Sequence, residues 1–187
     1  MNTASKPLAV SINHDRASIN DEPIAIAGPA SHFYSIFGTP DRIVDAATTP
    51  APVGHRNNQA HCYDAIGVAL NEHHYTHQIH EITFVLDPEL SHRRTLGSFA
   101  GELTIGDLTL KNSVPESDLA KTRLAFDSSL PGTWFLKVAG DHPITVAVLT
   151  KGKRPSSGQR STTRLVASVS LCLAHDPFDT TFIPADT

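Results

Sequence analysis

The sequence predicts an α+β fold in which strand exceeds helix, arranged as two similar α+β repeats whose antiparallel sheets are each covered by a short helix. Three observations predict it. Apolar residues alternate with a period of two through many short runs, as half-buried strands require. Thirteen prolines and eleven glycines punctuate those runs, which favours strands over a helical bundle. The order hairpin, short helix, meander also recurs at an offset of roughly 85 residues. The organisation that follows is an unstructured N-terminus over 1–15, a first repeat over 16–90, a second over 91–175 and an irregular tail over 176–187.

In the first repeat, Ile19 and Ile24 to Ile26 flank an Asn20-Asp21-Glu22 turn, which reads as a tight hairpin. Ser31 then stands where an N-cap belongs. Phe33, Ile36 and Phe37 follow at helical spacing, and Gly38 and Pro40 stop the helix. Asp41 to Ala46 reads as a strand, and TTPAPVGHRNNQ as a long turn-rich loop. Residues 61–87 read as the central hairpin, with one arm carrying Ile66, Val68 and Leu70 and the other Ile82, Phe84 and Leu86. Asn71 to Gln78 between them has no apolar periodicity and reads as solvated turn and strand end.

In the second repeat, GELTIGDLTL turns at Gly106-Asp107 and echoes SINDEPIAI. Ser113 and Glu116 have capping-box spacing, so a second short helix is predicted. Three alternating runs then follow, through Trp134/Leu136/Val138, Ile144/Val146/Val148 and Leu165 to Leu173. Trp134 reads as core.

Composition excludes several function classes. With 187 residues and 40% of them hydrophobic, the chain can bury a core without staples. No stretch has the length and apolarity of a signal peptide or a membrane span, which sets the expectation of a cytoplasmic protein with no membrane partner. Cys62 and Cys172 read as small buried hydrophobes rather than a disulfide. The net charge is −4 and the fifteen basic residues are scattered, so no nucleic-acid partner is expected. Lys151, Lys153, Arg154, Arg160 and Arg164 cluster around one loop, which reads as a solubilising edge.

FGTPDRI, HCYDAIGVAL, ITFVLD and FAGELTIGDLTL, in that order, resemble an uncharacterised bacterial family defined as a domain of unknown function. Gly38, Pro40, Tyr63, Asp64, Gly67, Phe99, Gly101 and Ile105 match its pattern, which covers about residues 17 to 112. These are fold-forming positions. The loop from Thr48 to Asn58 departs from the pattern in being longer and richer in proline. Members of families that this chain resembles often sit beside genes for secreted antibacterial toxins, including those of type VI secretion. The resemblance therefore implies an immunity protein whose partner is a cognate toxin.

The candidate sites are weighed on chemistry. His73, His74, His77 and His80 offer imidazole nitrogens suited to zinc, copper or nickel, with Glu72, Glu81 or His55 to complete a shell. Their spacing fits no established metal motif, so solvated turn histidines outweigh a metal site, and no cofactor is expected. Cys62 lacks a nucleophile signature, no serine stands in a G-x-S-x-G elbow, and no glycine run forms a phosphate loop. No catalytic residue is assigned. The expectation is a non-enzymatic protein that binds its toxin through the hairpin-tip residues Glu72, His74, Tyr75 and His77, with acidic groups steering and an aromatic anchoring. Two alternatives stay open: a histidine-dependent metal-binding protein or small enzyme, and a chaperone-like or structural adaptor. Oligomeric state is not legible.

Overall fold

Two apolar residues two positions apart, Val10 and Ile12, place a strand where the sequence reads as unstructured. The computed structural model describes residues 7–24, 26–45, 58–90, 95, 97–111, 114–140, 143–152 and 163–173, with backbone alone at 128–130. Its strands are β1 (Ala9–Ile12), β2 (Ala17–Ile19), β3 (Glu22–Pro23), β4 (Gly28–Pro29), β5 (Arg42–Asp45), β6 (Gln59–Tyr63) and β7 (Val68–Glu72). They continue with β8 (Gln78–Val85), β9 (Glu102–Ile105), β10 (Leu108–Leu110), β11 (Asp127–Leu130), β12 (Thr133–Val138), β13 (Ile144–Gly152) and β14 (Arg164–Cys172). Among the described residues, helix is confined to α1 (Ala30–Phe37) and a 3-10 turn at Glu116–Lys121. Neither is long and apolar enough to cross a membrane.

The strands form two sheets. The smaller has the order β10-β9-β1-β2-β3. In it β1 runs parallel to β9, matching Val10 to Leu103 and Ile12 to Ile105, and antiparallel to β2, matching Val10 to Ile19. The larger is antiparallel throughout, with the order β11-β12-β13-β14-β8-β7-β6-β5, and β4 pairs with β8 at Ile79. Period-two alternation turns one row of each sheet toward the other. Val10, Ile12, Ile19, Leu103 and Ile105 thus share a core with Leu70, Ile82, Phe84, Val146, Val148, Val169 and Leu171. Phe33 of α1 and Leu119 of the 3-10 turn are buried in the same cluster.

The expected antiparallel sheet for each repeat, the two lying side by side or continuous, gives way to two sheets that each draw strands from both halves. The hairpins at 17–23 and 102–110 are each too short to bury a face alone, and β1 joins them edge to edge. That is why β1 lies at the centre of the smaller sheet and is not a frayed end.

Local chemistry explains most of the remaining boundaries. Asn20 and Asp21 take φ of 52° and 70°, the left-handed pair that a two-residue hairpin turn demands. Helix α1 starts after Pro29, with no side-chain cap, so Ser31 lies inside the helix and is not its N-cap. Gly38 ends the helix, its N–H donating to the Tyr34 carbonyl at 2.8 Å. The partner of the expected capping box, Ser113, lies outside the described residues, and Glu116 opens its 3-10 turn after Pro115. Trp134 is only partly buried. Cys62 is buried in β6, and no disulfide joins it to Cys172.

The stretch 61–87 proves to be three strands, β6, β7 and β8, rather than two. A tight turn at Asp64–Gly67 separates β6 from β7, with Gly67 at φ 64°. The true tip is His73–His77, because Asn71 and Glu72 belong to β7 and are buried.

Candidate partner-binding tip and the polar network beneath it

The β7–β8 turn is closed by its own backbone. His73 N–H donates to the Gln78 carbonyl and His77 N–H to the His73 carbonyl, each at 2.9 Å, with His77 in the left-handed region at φ 56°. Compact geometry forces the rings together. His73 and His74 stack with centroids 4.8 Å apart, and Tyr75 lies 3.8 Å from His74. Asn58 Oδ1 accepts from the His74 backbone N–H at 2.9 Å, tying the tip to the start of β6. Tyr75 remains 55% exposed, the most exposed large apolar side chain described.

Beneath the tip a polar chain runs inward. Tyr34 on α1 lies 2.7 Å from His61 Nδ1, and His61 Nε2 lies 2.8 Å from Glu72 Oε2. Glu72 Oε1 faces His77 Nδ1 at 3.4 Å. Burial pushes the Tyr34 phenol above its usual pKa, so it keeps its proton at neutral pH. The His61 tautomer with its proton on Nε2 fits both of these contacts. Tyr34 O–H donates to Nδ1, and Nε2–H donates to the carboxylate. Strand register makes this possible, because Gln59 is opposite Glu72 in β6–β7 and His61 is opposite Leu70, which sets His61 diagonal to Glu72 on the core-facing row.

The four tip positions therefore separate. His74, Tyr75 and His77 stand at the turn, and the His77 side chain is 57% exposed. Glu72 points the other way, with its side chain only 8% exposed, so it supports the tip from below and presents no charge to a partner. The reading of Glu72 as a solvated steering group fails because β7 extends two residues farther than apolar periodicity indicated. The relevant signal was the β6–β7 pairing of Gln59 with Glu72, legible only once HCY is recognised as a strand of its own. His61 and Tyr34 were missed for the same reason.

The histidines do not converge on one point. His73 stacks on His74 and meets His80 edge-on at 5.6 Å, while His77 turns to Glu72. Among the described residues, no three His, Cys, Asp or Glu side chains are grouped to hold a metal. His55 lies outside the described residues.

Two further polar clusters brace the larger sheet. Arg42 grips Asp64 through Nε at 2.7 Å and Nη2 at 3.1 Å, and Asp41 Oδ2 accepts from the Asp64 N–H at 2.6 Å. Near the other edge, Glu116 accepts from Trp134 Nε1 at 2.7 Å and from Arg164 Nε at 2.9 Å. Arg164 also donates to Thr150 Oγ1 and to its carbonyl.

Comparison with known proteins places this geometry in a family without assigning it an activity. Residues 9–120 match the family described as a domain of unknown function, DUF7738. The chain belongs to that family. The DUF7738 match runs from the first residue of β1 into the 3-10 turn, so it takes in α1, the tip and the whole of the smaller sheet. No curated protein and no solved structure matches the chain.

Proposed function

We propose that this chain is a non-enzymatic bacterial immunity protein. It binds a cognate secreted toxin in the cytoplasm and blocks it by covering a working surface. The observation that carries the reading is an exposed aromatic tip on a rigid polar footing. Tyr75 offers an anchor with little rotamer entropy to lose, and His74 and His77 flank it with hydrogen-bonding groups. The chain Tyr34–His61–Glu72–His77 fixes the turn before any partner arrives, which lowers the entropic cost of association. A chaperone-like adaptor would use the same surface but would retain its partner without inhibiting it.

We further read the chain as two α+β repeats. Three features support this. Ile19-Asn20-Asp21 of the β2–β3 turn corresponds in order to Ile105-Gly106-Asp107 of the β9–β10 turn, and the smaller sheet reads β2-β3 and β9-β10 outward from β1. The larger sheet reads β8 to β5 and β14 to β11 outward from its centre. Each helical segment also reaches a polar group to a ring on the next-to-edge strand, Tyr34 to His61 and Glu116 to Trp134.

The enzymatic alternative has its best footing in Tyr34–His61–Glu72, which has the form of a proton relay. Side-chain exposures of 3% for His61 and 8% for Glu72 leave no room for substrate at either group. The relay is better suited to holding the tip.

Expression of the chain should protect cells against one co-encoded toxin, and Tyr75→Ala with His74→Ala should weaken association at least tenfold, about 1.4 kcal/mol or more. Thermal stability should fall by no more than about 1 kcal/mol, because Tyr75 is mostly solvated and the Asn58 contact to the His74 backbone N–H is kept. Full protection by the double variant, or protection that requires turnover of a small molecule, refutes the proposal.

A further inference from the structure

The β1–β2 turn docks against the β12–β13 turn, where Ala139 N–H donates to the His14 carbonyl at 2.8 Å. Beside this junction lies a cleft of about 650 Å³, walled by His14, Arg123, Leu124, Asp127, Phe135 and Lys137 among others. Its size falls within the range of small-molecule sites, roughly 300–1,000 Å³. Two of its wall groups are cations: among the described residues, neither Arg123 nor Lys137 makes an ion pair or a side-chain hydrogen bond. Asp127, the one carboxylate among the described wall residues, has an interaction of its own. The described wall residues therefore carry a positive surplus in a chain whose net charge is −4.

The opposite edge of the larger sheet treats the same places differently. Arg42 sits across from Cys62 in β5–β6, and Asp64, two residues beyond Cys62, pairs with it at 2.7 Å. Asp127 sits across from Phe135 in β11–β12, and Lys137 is two residues beyond Phe135. The charge order is reversed, yet among the described residues Lys137 makes no ion pair, and Asp127 and Lys137 both line the cleft. A cation kept out of the pair its counterpart makes is available to an external anion.

We propose that this cleft binds a small organic anion, a carboxylate or phosphate head group on an apolar body. Arg123 offers a planar fork that matches either head group, and Lys137 adds a point charge. Phe135 and Leu124 supply the apolar wall for the body. The site is separate from the hairpin tip and does not depend on what the tip binds.

Benzoate and phenyl phosphate, titrated into the full chain by calorimetry, test this. Saturable one-to-one binding of either probe is expected, and which one binds identifies the head group. Arg123→Gln and Lys137→Gln should each weaken it about tenfold, and added salt should weaken it too. Lys111→Gln, outside the cleft, should leave it unchanged. Both cleft side chains are exposed, so the variants should keep the parental unfolding midpoint, checked by circular dichroism. Failure of both probes to saturate by about 10 mM, well above the roughly millimolar constants of weak sites, overturns the proposal. So does equal binding of neutral benzamide, or unchanged binding by the folded double variant.

Discussion

Phe84→Asp should yield no folded protein. Phe84 has no solvent exposure, lies opposite Val68 of β7 and Val169 of β14, and meets Phe99 edge-on at 5.0 Å. Truncation to Ala at such a site costs about 3–5 kcal/mol through lost transfer energy and the cavity left behind. Asp adds to this a carboxylate with no partner in the core, which must be buried at a cost of several kcal/mol or protonated. Domains of this size have only about 5–15 kcal/mol in hand. Circular dichroism with urea titration distinguishes the outcomes: Ala folds with a lowered midpoint, and Asp does not fold. A folded Asp variant with the parental midpoint would mean that β8 presents its other row to the core.

Gly67→Ala should be nearly as damaging, for a backbone reason. Gly67 has φ 64°, where an L-residue costs roughly 1–2 kcal/mol. Its added Cβ would also stand 2.2 Å from the Ser98 carbonyl carbon and 2.3 Å from Phe99 N. Those atoms cannot rotate aside, because Phe99 N–H donates to the Val85 carbonyl at 2.6 Å and Ala100 N–H to the Ile66 carbonyl at 3.2 Å. The segment they belong to carries the chain from the larger sheet to the smaller. Gly38 provides the comparison, since its φ is 83° but nothing lies within 4 Å of a new Cβ. Gly38→Ala should therefore lose only the backbone term, about 1–3 kcal/mol, and Gly67→Ala distinctly more. Equal losses in chemical denaturation would show that the 97–100 segment yields.

These two residues also mark what the sequence could convey. Phe84 was assigned to a buried row from period-two alternation alone, and Gly67 was picked out as a pattern position without its role. Alternation revealed strands wherever one face is apolar and the other polar, as in β8, β12 and β13. It failed in β7, where Leu70, Asn71 and Glu72 are all buried, because a strand covered on both faces and carrying paired polar groups has no apolar period. It also failed in β1, whose two inward residues are too few to register as a pattern. Within the candidate site, the exposed Tyr75 was legible from its polar neighbourhood. The inward network of Tyr34, His61 and Glu72 was not, because it joins a helix to two strands through contacts that arise only on folding.

Hydrogen exchange of the chain, alone and saturated with its co-encoded toxin, measures the proposed interface directly. Binding through the tip should slow exchange of the backbone amides from His74 to His77, with no chemical change in either protein. Unchanged exchange across those amides in a saturated complex, or covalent modification of the toxin by catalytic amounts of the chain, would contradict it.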